Sequence, residues 1–299
     1  MSEVEADLGG AQLRTPRTTG RLREARSDRT IARSPVSIAA WTLFVFFLLI
    51  AAVGPWLVSA DPLRQTPSAL LPIGSPGHLL GTDDLGRDQL ARLVSGARPL
   101  IFVSLAATAV ACFTGLVLGL VAGFYGRWVE QGVMRTVDLL LAFPSILLII
   151  LVVAALGTGA TKLIIGIGIA MAPSFARVTR AVAVRETSRD YVLAARASGA
   201  PGRRIMAVEI LPNVMGPLLV QALTILSISA GFAAGLSYIG LGIQPPDADW
   251  GYMVKAGQEF IFTVPMLAVL PGVLTMLFVM ACNFVGDDLR DAFDPRRQR

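Results

Sequence analysis

Three stretches of this chain carry residue types that could do chemistry. Gly81-Thr-Asp-Asp-Leu-Gly-Arg-Asp88 gathers Asp83, Asp84 and Asp88, oxygen donors of the kind that hold a cation. Glycine and arginine interrupt the regular oxygen spacing of a calcium loop, so a turn opening a helix is the favoured expectation, with metal binding as the alternative. Gly157-Thr-Gly-Ala-Thr-Lys162 imitates a phosphate loop but lacks the glycine directly before the lysine, and Leu163 stands where Ser or Thr would bind magnesium. Arg135 and Asp138 lie one helical turn apart beside an apolar run and are expected to pair. His78 is the single histidine. No His-Glu-x-x-His, Gly-x-Ser-x-Gly or Cys/His pair is present, so hydrolytic or metal-assisted catalysis has no players and no enzyme activity is expected.

A fourth stretch has the composition of a docking element rather than a reaction centre. Residues 190–213, between two apolar runs, are small and polar. Asp190 is placed to cap a short helix over Tyr191–Ser198. Gly199 suits the left-handed position that ends it, and Pro201 suits the first turn of the next. Tyr191, Ala194, Ala195 and Ser198 fall on one face at helical spacing, where small side chains allow close approach to a partner's groove. Pro212 is expected to break the chain where the following span begins.

The elements that must position this segment are membrane helices. Of 299 residues, 54% are hydrophobic and 16% charged, against about 25% charged in an ordinary soluble domain. The apolar residues cluster in continuous runs near the length that crosses about 30 Å of hydrocarbon. That pattern excludes a β-barrel, whose strands alternate. Spans are expected at Ile38–Val58, Pro99–Gly123, Val137–Leu156, Leu163–Phe175, Val214–Ile239 and Pro265–Phe284. The fourth is short at its core and should extend into Arg177 and Arg180, whose stems can snorkel. Gly115, Gly119 and Gly123 repeat every fourth residue, a stripe that lets helices approach closely. Cys112 and Cys282 sit within apolar runs and read as packing residues.

Residues 1–37 hold seven arginines and no aromatic residue, which implies a disordered basic tail ahead of a membrane domain over 38–299. With the N-terminus cytoplasmic, the inside segments carry twenty basic residues and the outside segments six. This bias supports six transmembrane helices with N- and C-termini cytoplasmic in an all-α membrane protein, and places residues 190–213 in the cytoplasm. The basic excess therefore reads as topology, with the lipid bilayer as partner and no nucleic acid. A proton- or sodium-coupled transporter needs ionisable groups near the midplane, and the spans are nearly free of them. A self-sufficient secondary transporter or channel remains the rival from a different class.

Residues 190–213 resemble the EAA loop of ABC-transporter importer permeases. Ala194, Ala195, Gly199, Leu211 and Pro212 match it in register, whereas Leu193 replaces the initial glutamate and Glu209 occupies an apolar position of the pattern. Gly81-Thr-Asp-Asp-Leu-Gly-Arg-Asp88, Gly240-Leu-Gly-Ile-Gln-Pro-Pro246 with Trp250-Gly251, and Gly286-Asp-Asp-Leu-Arg-Asp-Ala-Phe-Asp-Pro-Arg296 resemble signatures of the dipeptide/oligopeptide/nickel permeases, specifically their C-type subunit. The family core then covers about residues 98–285.

The resemblance implies a half-transporter in the cell membrane, working with a homologous B-type permease subunit, two cytoplasmic ATPase subunits and an extracytoplasmic solute-binding protein. ATP and magnesium are then bound by the ATPase subunits, and this chain needs no cofactor. Asp190, Tyr191, Ala194, Ala195, Arg196, Ser198 and Gly199 are the expected ATPase-coupling residues. Di- or oligopeptides are the expected cargo, with nickel, glutathione or another small solute as alternatives.

Overall fold

The computed structural model describes residues 35–58 and 60–293. The basic tail expected over residues 1–37 lies, up to residue 34, outside them. The described chain is helical, with no strand beyond two isolated bridges, Ser75 with His78 and Thr82 with Asp88. Among the described residues, five helices are long and apolar enough to cross a membrane, and a bent pair makes up to six.

The first, α1 (Pro35–Leu57), has no charged residue and packs on α2 and α10. Phe47 anchors it, with its ring edge-on to Trp250 and to Phe278. The link to α2 spends residues 60–88 in turns folded around the acidic stretch. Asp83 accepts from the backbone N–H groups of Leu85 and Arg87 and from Arg87 Nε at 2.7 Å, and Arg92 Nε lies 3.3 Å from it. Asp88 caps α2 (Gln89–Tyr125) by accepting from the Ala91 N–H, while its other oxygen meets His78 Nδ1 at 2.8 Å. The stretch is thus a turn and helix start, its carboxylates bonded locally.

The most extensive helix pairing joins α2 to α5 (Ala160–Thr187), and the glycine stripe is its cause. A Cβ on Gly115 would lie 2.7 Å from the Ala172 carbonyl oxygen, one on Gly119 2.4 Å from Thr179 Cβ, and one on Gly123 2.7 Å from Ala183 Cβ. Only hydrogen fits at these three positions, so the backbones meet almost directly. As expected, α5 continues past Phe175 through Arg177 and Arg180.

The third expected span is not one helix. Val137–Leu156 is divided between α3 (Arg127–Leu141) and α4 (Ser145–Leu156), whose axes differ by 90°. Pro144 is the reason: it offers no N–H to the helix ladder, and its ring disfavours helical geometry at Phe143. α3 turns one polar and one apolar side outward, whereas α4 is apolar throughout after Ser145. Gly157 and Gly159, at φ 95° and 119°, form the tight turn from α4 to α5.

After α5 come the short α6 (Asp190–Ala197), a single turn α7 (Gly202–Arg204), a π-helical segment (Ile205–Ile210) and α8 (Leu211–Tyr238). Beyond α8, the short α9 (Trp250–Gln258) leads to α10 (Met266–Ala292). Trp250 is buried against Gly96, which has no side chain to obstruct it, and donates from Nε1 to the Leu93 carbonyl at 2.7 Å. This contact gives the Trp250-Gly251 signature a packing role. Cys282 is fully buried in α10 and Cys112 half-buried in α2.

Candidate functional site

The candidate site is α6 and what holds it. Its boundaries differ by one position from those read in the sequence. Arg189 is the N-cap residue, without a side-chain bond, and Asp190 is the first helical residue rather than the cap. There its carboxylate lies beside the unpaired N–H groups of the first turn, where negative charge is favourable without a formal cap. The C-terminus matches the expectation at Gly199, whose φ is +78°. The Ala200 N–H donates to the Ala195 carbonyl at 3.1 Å, and the Gly199 N–H to that of Arg196 at 3.0 Å. These two bonds are a Schellman closure, which requires the left-handed residue that glycine supplies. Pro201 is the N-cap of α7, one position before the first turn expected for it.

The two sides of α6 do different things. Val192 is fully buried, and Tyr191 and Ala195 are half-buried, so this side faces the chain itself. Asp190, Leu193, Ala194 and Ala197 are exposed on the opposite side at i, i+3, i+4 and i+7 spacing, joined by Ser198. The single face expected for Tyr191, Ala194, Ala195 and Ser198 is therefore divided. Tyr191 and Ala195 point inward because the neighbouring Val192 must be buried, and burying it rotates the helix about its axis.

Tyr191 is a fastening point. Its hydroxyl donates to Glu186 Oε2 at 2.6 Å, at the end of α5, and accepts from Asn213 Nδ2 at 3.3 Å, at the start of α8. Desolvation and the bond to Glu186 push the phenol up to about 12. Arg196 reaches a third helix. Its guanidinium stands 4.7 Å from the centre of the Phe124 ring, and Nη2 lies 3.5 Å from the Phe124 carbonyl, near the end of α2. Phe124 and Tyr125 also crowd Gly202, where a Cβ would lie 2.8 Å from the Phe124 ring. Glu186, Asn213 and Phe124 carried no signal in the sequence beyond their nearness to helix ends.

Pro212 does not break the chain. Residues 202–238 form one continuous helical element, with Pro212 in the first turn of α8. The π-helical segment ahead of it absorbs the misfit. Its wider turn lets the Leu211 N–H donate to the Met206 carbonyl, and that widening accommodates the proline ring that would otherwise strike the preceding turn.

One other reading changes. Asp138 pairs with Arg177 of α5 at 2.7 Å, not with Arg135. A basic residue one turn before an acidic one is the less favourable order on a helix, and Arg177 stands directly opposite. Asp288, in the C-terminal signature, accepts from Ser37 and from Trp41 Nε1 (3.1 Å), tying the start of α1 to α10. Among the described residues, no three His, Cys, Asp or Glu side chains converge to hold a metal.

These features define a multi-pass α-helical membrane protein that presents one short, braced helix outside its apolar body. The chain belongs to the family of binding-protein-dependent transport system inner membrane components, which it matches over residues 115–299. It is 41% identical to the di/tripeptide transport system permease protein DppC of Pseudomonas aeruginosa, across 85% of this chain and 86% of that one. It is 37% identical to the dipeptide transport system permease protein DppC of Escherichia coli, across 88% and 90%. It is 35% identical to the glutathione transport system permease protein GsiD of Pectobacterium atrosepticum, across 90% and 89%. A chain of the MetNI methionine ABC transporter, in an inward-facing crystal structure, shares the fold with a TM-score of 0.51 at 22% identity, over 68% of this chain and 96% of that one. This chain is an ABC-importer permease, and membership implies work with an ATPase and a solute-binding protein.

Proposed function

We propose that this chain is the C-type permease subunit of an ATP-driven importer of di- or oligopeptides in the cell membrane. It pairs with a homologous B-type permease, two cytoplasmic ATPase subunits and an extracytoplasmic binding protein. Six spans, counting α3 with α4 as one, leave both termini and α6 in the cytoplasm. The chain has no ATPase site of its own, and ATP with magnesium is bound by the partner subunits. Peptide cargo is supported by the relatives named for peptide transport at 36–41% identity.

The observation that carries the coupling role is the two-sidedness of α6. Its outer side offers Asp190, Leu193, Ala194, Ala197 and Ser198, small or short except for Leu193, as a surface for the ATPase. Its inner side is bonded through Tyr191 and Arg196 to the ends of α5, α8 and α2. An ATPase that closes on ATP moves α6, and those bonds carry the displacement into three membrane helices. The binding energy of ATP for the closed state supplies the bias between inward- and outward-facing arrangements.

The test is reconstitution. Proteoliposomes holding both permeases, the ATPases and the binding protein should accumulate peptide only with ATP and magnesium. Uptake by this chain alone, without ATPase subunits, would instead identify a self-sufficient transporter.

A further inference from the structure

An open cleft of about 530 Å³ lies between α3 and α5, at the end of α5 that leads to α6. Arg127, Arg135, Arg177 and Arg180 line it together with Glu130 and Asp138. Arg177 is paired with Asp138, and Arg180 with Glu130. Arg127 and Arg135 have no carboxylate partner among the described residues. Arg180 Nε is buried without an acceptor. Four cations facing two carboxylates leave two positive charges and one buried donor unanswered, and a buried donor without an acceptor is costly.

The depth of the cleft in the membrane follows from its neighbours. Charged groups are expensive in hydrocarbon, so six together mark the edge of the apolar layer. The apolar run of α5 ends at Phe175, just before Arg177. Trp128, 83% exposed beside Arg127, is the kind of side chain that settles at a membrane–water boundary. Past Asp138 the exposed surface turns apolar, with Leu139, Phe143, Leu147 and Leu151 each more than half exposed. A basic recess at the interface therefore continues into an apolar flank.

We propose that this cleft binds the phosphate of an anionic phospholipid headgroup. Arg127 and Arg135 supply the uncompensated charge, Arg180 Nε supplies a hydrogen-bond donor, and the acyl chains lie along the exposed flank of α3 and α4. The apolar flank favours a lipid over a soluble anion, which would have no use for it. This site is independent of the cargo and of the coupling role of α6.

Native mass spectrometry of the full chain in detergent tests it, with dioleoylphosphatidylglycerol titrated against dioleoylphosphatidylcholine. The anionic lipid should be retained in preference to the zwitterionic one. Arg135→Gln and Arg127→Gln should each weaken that retention about fivefold, the effect of one basic residue near an anionic surface. Neither arginine makes an ion pair among the described residues, so folding is spared, and an unchanged thermal unfolding midpoint verifies this. Lys162→Gln, at the other end of α5, should leave retention unchanged. Equal retention by Arg135→Gln and the unaltered chain overturns the proposal, as does the absence of a headgroup preference. Displacement of the lipid by millimolar inorganic phosphate or by a dipeptide also overturns it, and would assign the cleft to a soluble anion or to cargo.

Discussion

The Tyr191 hydroxyl donates a 2.6 Å hydrogen bond to Glu186 Oε2, and so locks the first turn of α6 to the last turn of α5. The same oxygen accepts from Asn213, which brings α8 into the joint. One hydroxyl thereby connects the element offered to a partner with two membrane helices. Removing it tests transmission without altering the outer side of α6. Tyr191→Phe should keep membrane abundance and ATPase association, lose about 1–2 kcal/mol of local stability, and lower the peptide transported per ATP hydrolysed. Parallel uptake and phosphate-release assays on the reconstituted transporter measure that ratio; an unchanged ratio removes Tyr191 from the coupling path.

Gly199 tests the Schellman closure. A Cβ there meets nothing within 4 Å, so any penalty comes from the φ of +78° alone. Valine is poorly suited to that region and asparagine is tolerated in it. Gly199→Val should reduce coupled uptake while leaving insertion intact, and Gly199→Asn should retain most of it. Equal uptake by the two variants would show that backbone geometry at this position is immaterial.

Leu193 is the large apolar side chain on the outer side of α6, 51% exposed where the EAA pattern has glutamate. Contact with a partner would bury it. Leu193→Ala should weaken ATPase association about tenfold, as truncation of a buried interface leucine costs roughly 1–2 kcal/mol. Binding of the purified ATPase to the permease pair in nanodiscs measures it.

The α2–α5 seam should be intolerant of a single methyl group. Gly119→Ala places a Cβ 2.4 Å from Thr179 Cβ and 2.6 Å from the Ala176 carbonyl oxygen. The helices must separate, at about 1–3 kcal/mol. Gly231→Ala, in α8 with nothing within 4 Å, should be neutral or stabilising. Thermal unfolding in detergent compares the two.

Asp249 caps α9 by accepting from the Tyr252 N–H at 3.0 Å and is almost wholly buried. Burial raises its carboxyl to about 6, against the pull of hydrogen bonds from Tyr252, Ser237 and Gly251. A carboxyl raised in the folded state holds its proton longer there than in the unfolded chain. Its contribution to stability is therefore greatest below about pH 4 and is lost as pH rises to about 6, by roughly 2–3 kcal/mol at most. Asp249→Asn can keep the cap and should flatten the dependence of the unfolding midpoint between pH 4 and 6.5.

The membrane class, the glycine stripe and the left-handed turn at Gly199 were legible in the sequence because each follows from local composition or spacing. The helix over 190–197 was legible to within one residue for the same reason. Which side of that helix turns outward was not. Tyr191 and Val192 are adjacent, and the choice between burying one side or the other is made by α5, α8 and α2, whose ends only the fold brings together around α6. The break at Pro144 and the smooth passage of Pro212 show the same limit. Both prolines deny the ladder one donor, yet only the second is preceded by a π-helical turn that accommodates the ring.

The sequence by itself determined that the chain spans the membrane, that its family is that of importer permeases, and that a short helix opens near Asp190 and closes at Gly199. These depend on hydropathy, charge bias and short-range motifs, which neighbouring residues settle among themselves. Only the tertiary structure decided that Tyr191 and Arg196 brace α6 from within, that Asp138 belongs to Arg177, and that four arginines share one cleft. The pairs Tyr191 with Asn213, Asp138 with Arg177 and Arg196 with Phe124 join residues 22, 39 and 72 positions apart, and they exist because helix packing brings the partners together.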